Sequence, residues 1–204
     1  MTANSEELEL KDRLNLIENM IAEGRRTTES WGWVFVFWGL AYYVAIAWSA
    51  WGTHRSLAWN VTMTVAMLVT FGGVAWRKFG RTQKPQPATT LGRAVTAVWI
   101  AVGISFVVLL PSLGMGGLSN SNLVVAVIGT LLGTANAASS MILKWKLQFA
   151  CAVIWWALAV LSCLGTRGQS FIGLLVANFL CQIAFGIYCT IREARVRAKG
   201  EAHA

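Results

Sequence analysis

The chain has 204 residues, of which 56% are hydrophobic and only 13% are charged, and its formal net charge is +8. About a quarter of the residues in a soluble domain are charged, so this composition excludes an ordinary soluble fold and favours an all-α protein embedded in a membrane. The positive charge does not indicate a nucleic-acid partner, because the basic residues cluster at the ends of apolar segments and form no single basic face.

The first predicted element is an amphipathic helix over residues 5–23, within a cytosolic N-terminal segment, 1–29. Its apolar residues recur at intervals of four, three and four, which places them on one narrow stripe. These residues are Leu10, Leu14, Ile17 and Ile21. Gly24 is expected to end the helix. The polar side is mainly acidic, which disfavours an anionic membrane surface, so we expect the stripe to contact a second protomer, a cytosolic partner or the basic inner ends of the bundle.

Six apolar segments follow and are predicted to cross the membrane as one domain, residues 30–191. The longest run without a charged residue, Ala94–Leu143, has 50 residues, which is too long for one span of about 20 residues and suits two. The six predicted spans are 31–51, 56–76, 94–110, 123–143, 147–166 and 169–191. A basic cytosolic tail, 192–204, follows them, either as a topology signal or as a site for anionic lipid.

The spans are predicted to pair as three hairpins that close on the outer side, with turns at Gly52–Arg55, Pro111–Asn122 and Gly165–Gly168. Two prolines make Lys84–Thr90 an extended linker. Only Lys144–Lys146 separate the fourth span from the fifth, so these two helices should be immediate antiparallel neighbours. Tryptophan recurs at similar depth in the odd spans. A threefold repeat would produce this pattern, but chance could also produce it, because the chain has 11 tryptophans.

The distribution of Lys and Arg predicts the orientation of the spans. With both termini in the cytoplasm, 15 of the 17 basic residues lie on the inner side, and only Arg55 and Arg167 lie outside. An excess of Lys and Arg in cytoplasmic loops sets the topology of membrane proteins. We therefore expect both termini in the cytoplasm, in a plasma membrane or a bacterial inner membrane.

Residue types that carry chemistry are missing from the predicted spans, none of which contains Asp, Glu, Lys, Arg or His. Acid–base catalysis inside the membrane needs a titratable pair, and a zinc or haem site needs histidines or closely spaced cysteines. The four cysteines lie inside apolar segments, where small packing residues are expected. We therefore predict no enzymatic activity, no cofactor and no metal.

Two spans carry small and polar residues on one face, which makes them the candidate site. In the fourth span these residues are Gly129, Gly133, Asn136 and Ser140, and in the last span they are Asn178 and Gln182. A glycine pair four residues apart allows another helix to approach closely. The stripes are therefore either helix contacts with interhelical hydrogen bonds, including one from Asn136 or Gln182, or the polar lining of a pathway.

These observations favour a non-enzymatic integral membrane protein with an interaction or regulatory role. Its expected partners are the lipid bilayer and a protein, or a second copy, bound through the N-terminal helix. The alternative is a channel or facilitator for an uncharged or lipid-like solute. An enzyme acting on lipid ranks last, because no catalytic set is visible.

Overall fold

The computed structural model describes residues 3–51, 55–79, 90–117 and 120–201, and this part of the chain is helical with no strand. Its α-helices are α1 (Ala3–Glu29), α2 (Gly32–Trp51), α3 (Arg55–Phe79), α4 (Thr90–Met115), α5 (Ser121–Leu143), α6 (Lys146–Leu164), α7 (Arg167–Asn178) and α8 (Phe185–Glu201). A π-helical segment, Phe179–Ala184, joins α7 to α8 without a break. The all-helical prediction is confirmed.

Among the described residues, five helical segments are long and apolar enough to cross a membrane. They are Gly32–Ser49, Thr90–Leu113, Ser121–Leu143, Lys146–Leu164 and Arg167–Val196. The remaining predicted span lies in α3, where the apolar stretch that the structure describes, Ala58–Gly73, is shorter. The part of the chain that the structure describes is therefore all-helical and has five candidate membrane spans.

The chain divides into two compact units. Unit 1 comprises residues 1–28 and 88–167, and unit 2 comprises residues 29–87 and 168–204. In unit 1, α5 packs against both α4 and α6. In unit 2, α2 packs against α3, the π-helical segment and α8. In unit 2, α2 thus packs both against its neighbour in the chain, α3, and against segments from the far end of the chain.

The connection between α5 and α6 is the tight turn that the sequence predicts. Lys144 ends α5 in the left-handed conformation, with a φ of 49°. The amide of Trp145 then donates to the carbonyl of Ser140 at 2.9 Å, so the last turn of α5 keeps a hydrogen bond. The prediction that these two helices are immediate neighbours is confirmed by their extensive packing.

Two predicted helix ends are wrong. The first helix continues through Gly24 to Glu29, because Gly24 serves close packing: a Cβ there would lie 2.7 Å from Leu143 Cδ2. Similarly, α4 continues through Pro111 to Met115, and the chain turns at Gly117, whose φ is +69°. A helix in a membrane accommodates a proline when nearby groups satisfy the freed carbonyl groups.

Two predicted connections, the turn Gly52–Arg55 and the proline-containing linker Lys84–Thr90, lie outside the described residues except for their last positions, which begin α3 and α4.

Candidate functional site

Gly129 and Gly133 lie against α6. A Cβ atom on Gly129 would be 2.7 Å from the carbonyl oxygen of Trp155 and 3.2 Å from the amide nitrogen of Ala159. A Cβ atom on Gly133 would overlap the indole of Trp156. Gly129 therefore brings α5 to backbone contact with α6, and Gly133 leaves the space that the Trp156 indole occupies. Between membrane helices, dispersion contacts of this kind replace the hydrophobic effect as the source of association.

Asn136 and Ser140 are buried beside these glycines on α5. The Asn136 Nδ2 group donates to the carbonyl of Leu132 at 2.9 Å, and the Ser140 hydroxyl donates to the carbonyl of Ala137 at 2.7 Å. Both bonds return to the backbone of α5. We expected Asn136 or Gln182 to bond to a neighbouring helix. Asn136 bonds within α5 instead, because a carbonyl one turn earlier in its own helix lies within reach of its amide, and the bond from Gln182 stays a prediction.

Unit 1 holds several buried polar atoms that have no hydrogen-bond partner among the described residues. They are Asn122 Oδ1, Asn136 Oδ1, Ser139 Oγ, Trp155 Nε1, Ser162 Oγ and both amide atoms of Gln148. Burying a polar group without a partner costs roughly 1–3 kcal/mol in proteins. Gln148 is fully buried, and its position inside an apolar segment is a signal that the sequence-based search missed.

In unit 2, Asn178 joins the last span to α2. Its Nδ2 group donates to the carbonyl of Gly39 at 3.0 Å. A Cβ atom on Gly39 would lie 2.8 Å from Ile183 Cγ1 and 3.0 Å from Gln182 Cβ, so the backbones are close here as well. Asn178 directly precedes the π-helical segment, which contains Gln182. Segments of this kind often occur at functional sites.

A second glycine contact lies one heptad away on α2. A Cβ atom on Gly32 would be 2.8 Å from the carbonyl oxygen of Gly186, and a Cβ atom on Gly186 would be 2.7 Å from that of Gly32. The rings of Phe35 and Phe185 meet edge to face between the helices, with centroids 5.5 Å apart. The seven-residue spacing of Gly32 and Gly39 was visible in the sequence and could have predicted this face.

Unit 2 also contains a partly buried ion pair. The Arg192 Nε atom lies 3.1 Å from Glu29 Oε1, and the Glu29 side chain is 4% exposed against 41% for Arg192. In this pair, the cation of Arg192 at the end of the last span neutralises the carboxylate of Glu29 just before the first span. The sequence placed Arg192 only in the basic tail, so the pair was not predicted.

The predicted stripe on α1 is largely solvent-exposed. Leu10, Leu14 and Ile17 are 60%, 53% and 50% exposed, while Ile21 is partly buried. The polar side carries two ion pairs within the helix, Lys11 with Glu7 and Arg13 with Glu9. An exposed row of large aliphatic side chains on a charged helix is typical of an interaction surface.

Arg25 attaches the C-terminal part of α1 to the end of α5. Its Nε atom donates to the carbonyl of Leu143 at 2.8 Å, and its Nη2 atom donates to the carbonyl of Lys144 at 2.6 Å. The last carbonyl groups of a helix have no partner within the helix, and a cation there also suits the helix dipole. The guanidinium therefore caps α5 and holds α1 in place.

The described residues contain no cluster of His, Cys, Asp and Glu side chains that could hold a metal. Cys151, Cys181 and Cys189 are buried, whereas Cys163 is exposed. A shallow groove on one face of α3 is lined by Asn60, Val61, Thr64 and Val65. It is open to the outside and has no ionisable side chain in its lining.

The chain matches no protein-family model, no curated protein and no solved structure. Its class therefore follows from its own sequence and structure. It is an all-helical protein with five candidate membrane spans and a charged N-terminal helix that exposes a row of aliphatic side chains.

Proposed function

We propose that this protein is a non-enzymatic integral membrane protein that binds another protein through α1. The observation that carries the proposal is the exposure of Leu10, Leu14 and Ile17, each at least half exposed, on a helix outside the candidate spans. Aliphatic side chains gain about 25 cal/mol for each Å² removed from water. A partner that covers this stripe would gain that free energy.

The charges of α1 support a protein partner over a lipid surface. Between Glu7 and Glu23 the helix has five acidic residues and only two basic ones, Lys11 and Arg13. A helix that lies on an anionic leaflet normally carries Lys and Arg on its polar face. The cytoplasmic leaflet has a negative surface potential, which would repel this helix.

The attachment of α1 favours binding. Arg25 fixes the helix through two hydrogen bonds near its C-terminal end. A surface held in its bound conformation loses less entropy when a partner binds. The stripe is thus presented on a helix that is already formed and anchored.

The proposal includes six spans, with α3 as the second, and cytoplasmic termini in a plasma or bacterial inner membrane. The asymmetric distribution of Lys and Arg supports this orientation. Single cysteines placed at the exposed positions Asn19 and Ala198, in intact cells, should not react with an impermeant thiol reagent until the membrane is permeabilised. Reaction in intact cells would contradict the orientation.

The direct test of the function is photo-crosslinking from the stripe in native membranes. A photoreactive side chain at Ile17 should yield protein adducts, whereas the same group at Asn19, which is exposed on the same helix, should yield few. The double variant Leu14→Asp and Ile17→Asp should also lose co-purifying protein. Equal adduct yields at both positions, or adducts with lipid alone, would contradict the proposal.

The second candidate function is a facilitator for an uncharged solute. The unpartnered polar atoms of Asn136, Ser139 and Gln148 in unit 1 favour it, because such atoms need water or a polar ligand. Proteoliposomes should then show solute flux that Gln148→Leu abolishes. The exposed-groove variant Asn60→Leu serves as the control, and flux that neither variant changes would exclude this pathway.

A further inference from the structure

We propose that α1 forms a parallel coiled coil with α1 of a second copy of this chain. This inference rests on the proposed function and names the partner. Coiled coils form where apolar residues occupy the a and d positions of a heptad. The apolar residues of α1 fit that register, with Leu10 at d, Leu14 at a, Ile17 at d and Ile21 at a.

The charged residues that flank this seam complement one another between parallel copies. Arg13 occupies a g position and Glu18 the following e position, and both side chains are exposed. In a parallel coiled coil, a g residue faces the e residue of the next heptad on the partner helix. Arg13 of each copy therefore faces Glu18 of the other, and twofold symmetry repeats the pair.

The far end of the seam is defined by contacts inside the chain. The next d and a positions are Gly24 and Thr28, and both are buried. A Cβ atom on Gly24 would lie 2.7 Å from Leu143 Cδ2 and 3.5 Å from Leu91 Cβ. Beyond Ile21 the seam is therefore covered by α4 and α5, and the exposed part is the part left for a second copy.

The exposed seam covers only about two heptads, which would associate weakly as a free peptide. Two conditions offset this. The helix is already formed and is anchored by Arg25, and both copies are held at the same membrane, which raises their effective concentration. A short seam is therefore sufficient when the remainder of the protein is embedded in the bilayer.

The off-seam residue Leu16 provides a matched control. It is 62% exposed, compared with 53% for Leu14. It occupies the c position, which faces away from the seam of a coiled coil. A substitution at Leu16 changes the same type of exposed side chain on the same helix without touching the proposed contact.

Disulfide crosslinking of the full chain in its membrane tests the arrangement. Cys163→Ser removes the exposed native thiol, and the other three cysteines are buried. In that background Leu14→Cys should give a crosslinked dimer and Leu16→Cys should not. Co-expression of Leu14→Cys with Ile17→Cys tests direction, because an excess of mixed dimers would mean antiparallel helices and overturn the proposal.

Charge reversal tests the predicted pairing independently of crosslinking. Arg13→Glu alone and Glu18→Arg alone should each weaken dimerisation about tenfold, and the double variant should restore it. In an antiparallel coil Glu18 would instead face Lys11, so the double variant would not restore association. Absence of rescue would therefore overturn the parallel arrangement.

The outcomes separate this inference from the proposed function. Photo-crosslinks from Ile17 that have the mass of two copies support both. Crosslinks only to a different protein would overturn the coiled coil and leave the proposed function standing. A wild-type chain that is monomeric in nanodiscs and gives no protein crosslinks would overturn both.

Discussion

The Asn178 Nδ2 group donates a 3.0 Å hydrogen bond to the carbonyl oxygen of Gly39, 139 positions earlier in the chain. The bond lies where the last span meets α2, and Gly39 has no Cβ to separate the two helices. Asn178 is buried, and its Oδ1 atom has no partner among the described residues. The amide therefore acts as an interhelical donor inside unit 2.

We expect Asn178→Ala to destabilise the protein by about 1–3 kcal/mol, because the substitution removes this bond and leaves a gap between the helices. Asn60→Ala is the control, since Asn60 is exposed on α3. Its effect should stay within about 0.5 kcal/mol. Unfolding in detergent, followed for both variants, provides the comparison, and equal effects would contradict the assigned role.

Gly129→Ala should destabilise the α5–α6 contact by about 1–3 kcal/mol, because the new methyl group meets the backbone of α6, which cannot rotate away. The destabilisation caused by Gly133→Leu should lie at the upper end of that range, because its side chain is larger. Gly103→Ala is the matched control, since no atom lies within 4 Å of a Cβ atom there. If Gly129→Ala and Gly103→Ala unfolded at the same temperature, the close contact between α5 and α6 at Gly129 would be contradicted.

Arg25→Ala should loosen the attachment of α1 by removing both hydrogen bonds to the end of α5. Hydrogen bonds to charged groups contribute roughly 1.5–3 kcal/mol. Because the Arg25 side chain is partly exposed, the attachment of α1 should lose stability near the lower value. Arg26→Ala alters an exposed neighbour of the same type. Faster proteolysis of α1 in the Arg25 variant, and not in the Arg26 variant, is the expected result. Equal cleavage rates would argue against the attachment.

The two ends of the Glu29–Arg192 pair should respond unequally. Arg192→Ala leaves a carboxylate that is 4% exposed, whereas Glu29→Gln leaves a guanidinium that is 41% exposed and stays hydrated. Removing a cation from beside a buried carboxylate is the more costly change, because the carboxylate has little water to replace it. We expect a loss of about 1–3 kcal/mol for Arg192→Ala and a smaller loss for Glu29→Gln. The opposite order in denaturant unfolding would contradict this account.

The sequence predicts the helical class and the presence of several apolar helices long enough to cross a membrane, because a long apolar run without charge has few alternatives to a membrane helix. It also predicts the glycine face of α5, since Gly129 and Gly133 lie one turn apart. Helix ends were less predictable. Gly24 and Pro111 are typical helix terminators in water, yet both lie inside helices here because packing and the bilayer override local propensity.

Contacts between distant segments could not be predicted from spacing alone. Nothing local indicates that Arg25 reaches Leu143, that Glu29 pairs with Arg192 or that Asn178 reaches Gly39. Each contact depends on which helices become neighbours, and periodicity describes only the face that a helix buries. For the same reason, spacing did not indicate that Asn136 bonds within its own helix.

The central claim is that the stripe on α1 binds protein. The most direct measurement is the mass of the chain, together with any bound protein, in lipid nanodiscs prepared from its own membrane. Native mass spectrometry should find bound protein on the wild-type chain and on Leu16→Asp. The double variant Leu14→Asp and Ile17→Asp should run as a single chain that is still inserted in the membrane. A single chain in all three samples, or equal amounts of bound protein in all three, would contradict the claim.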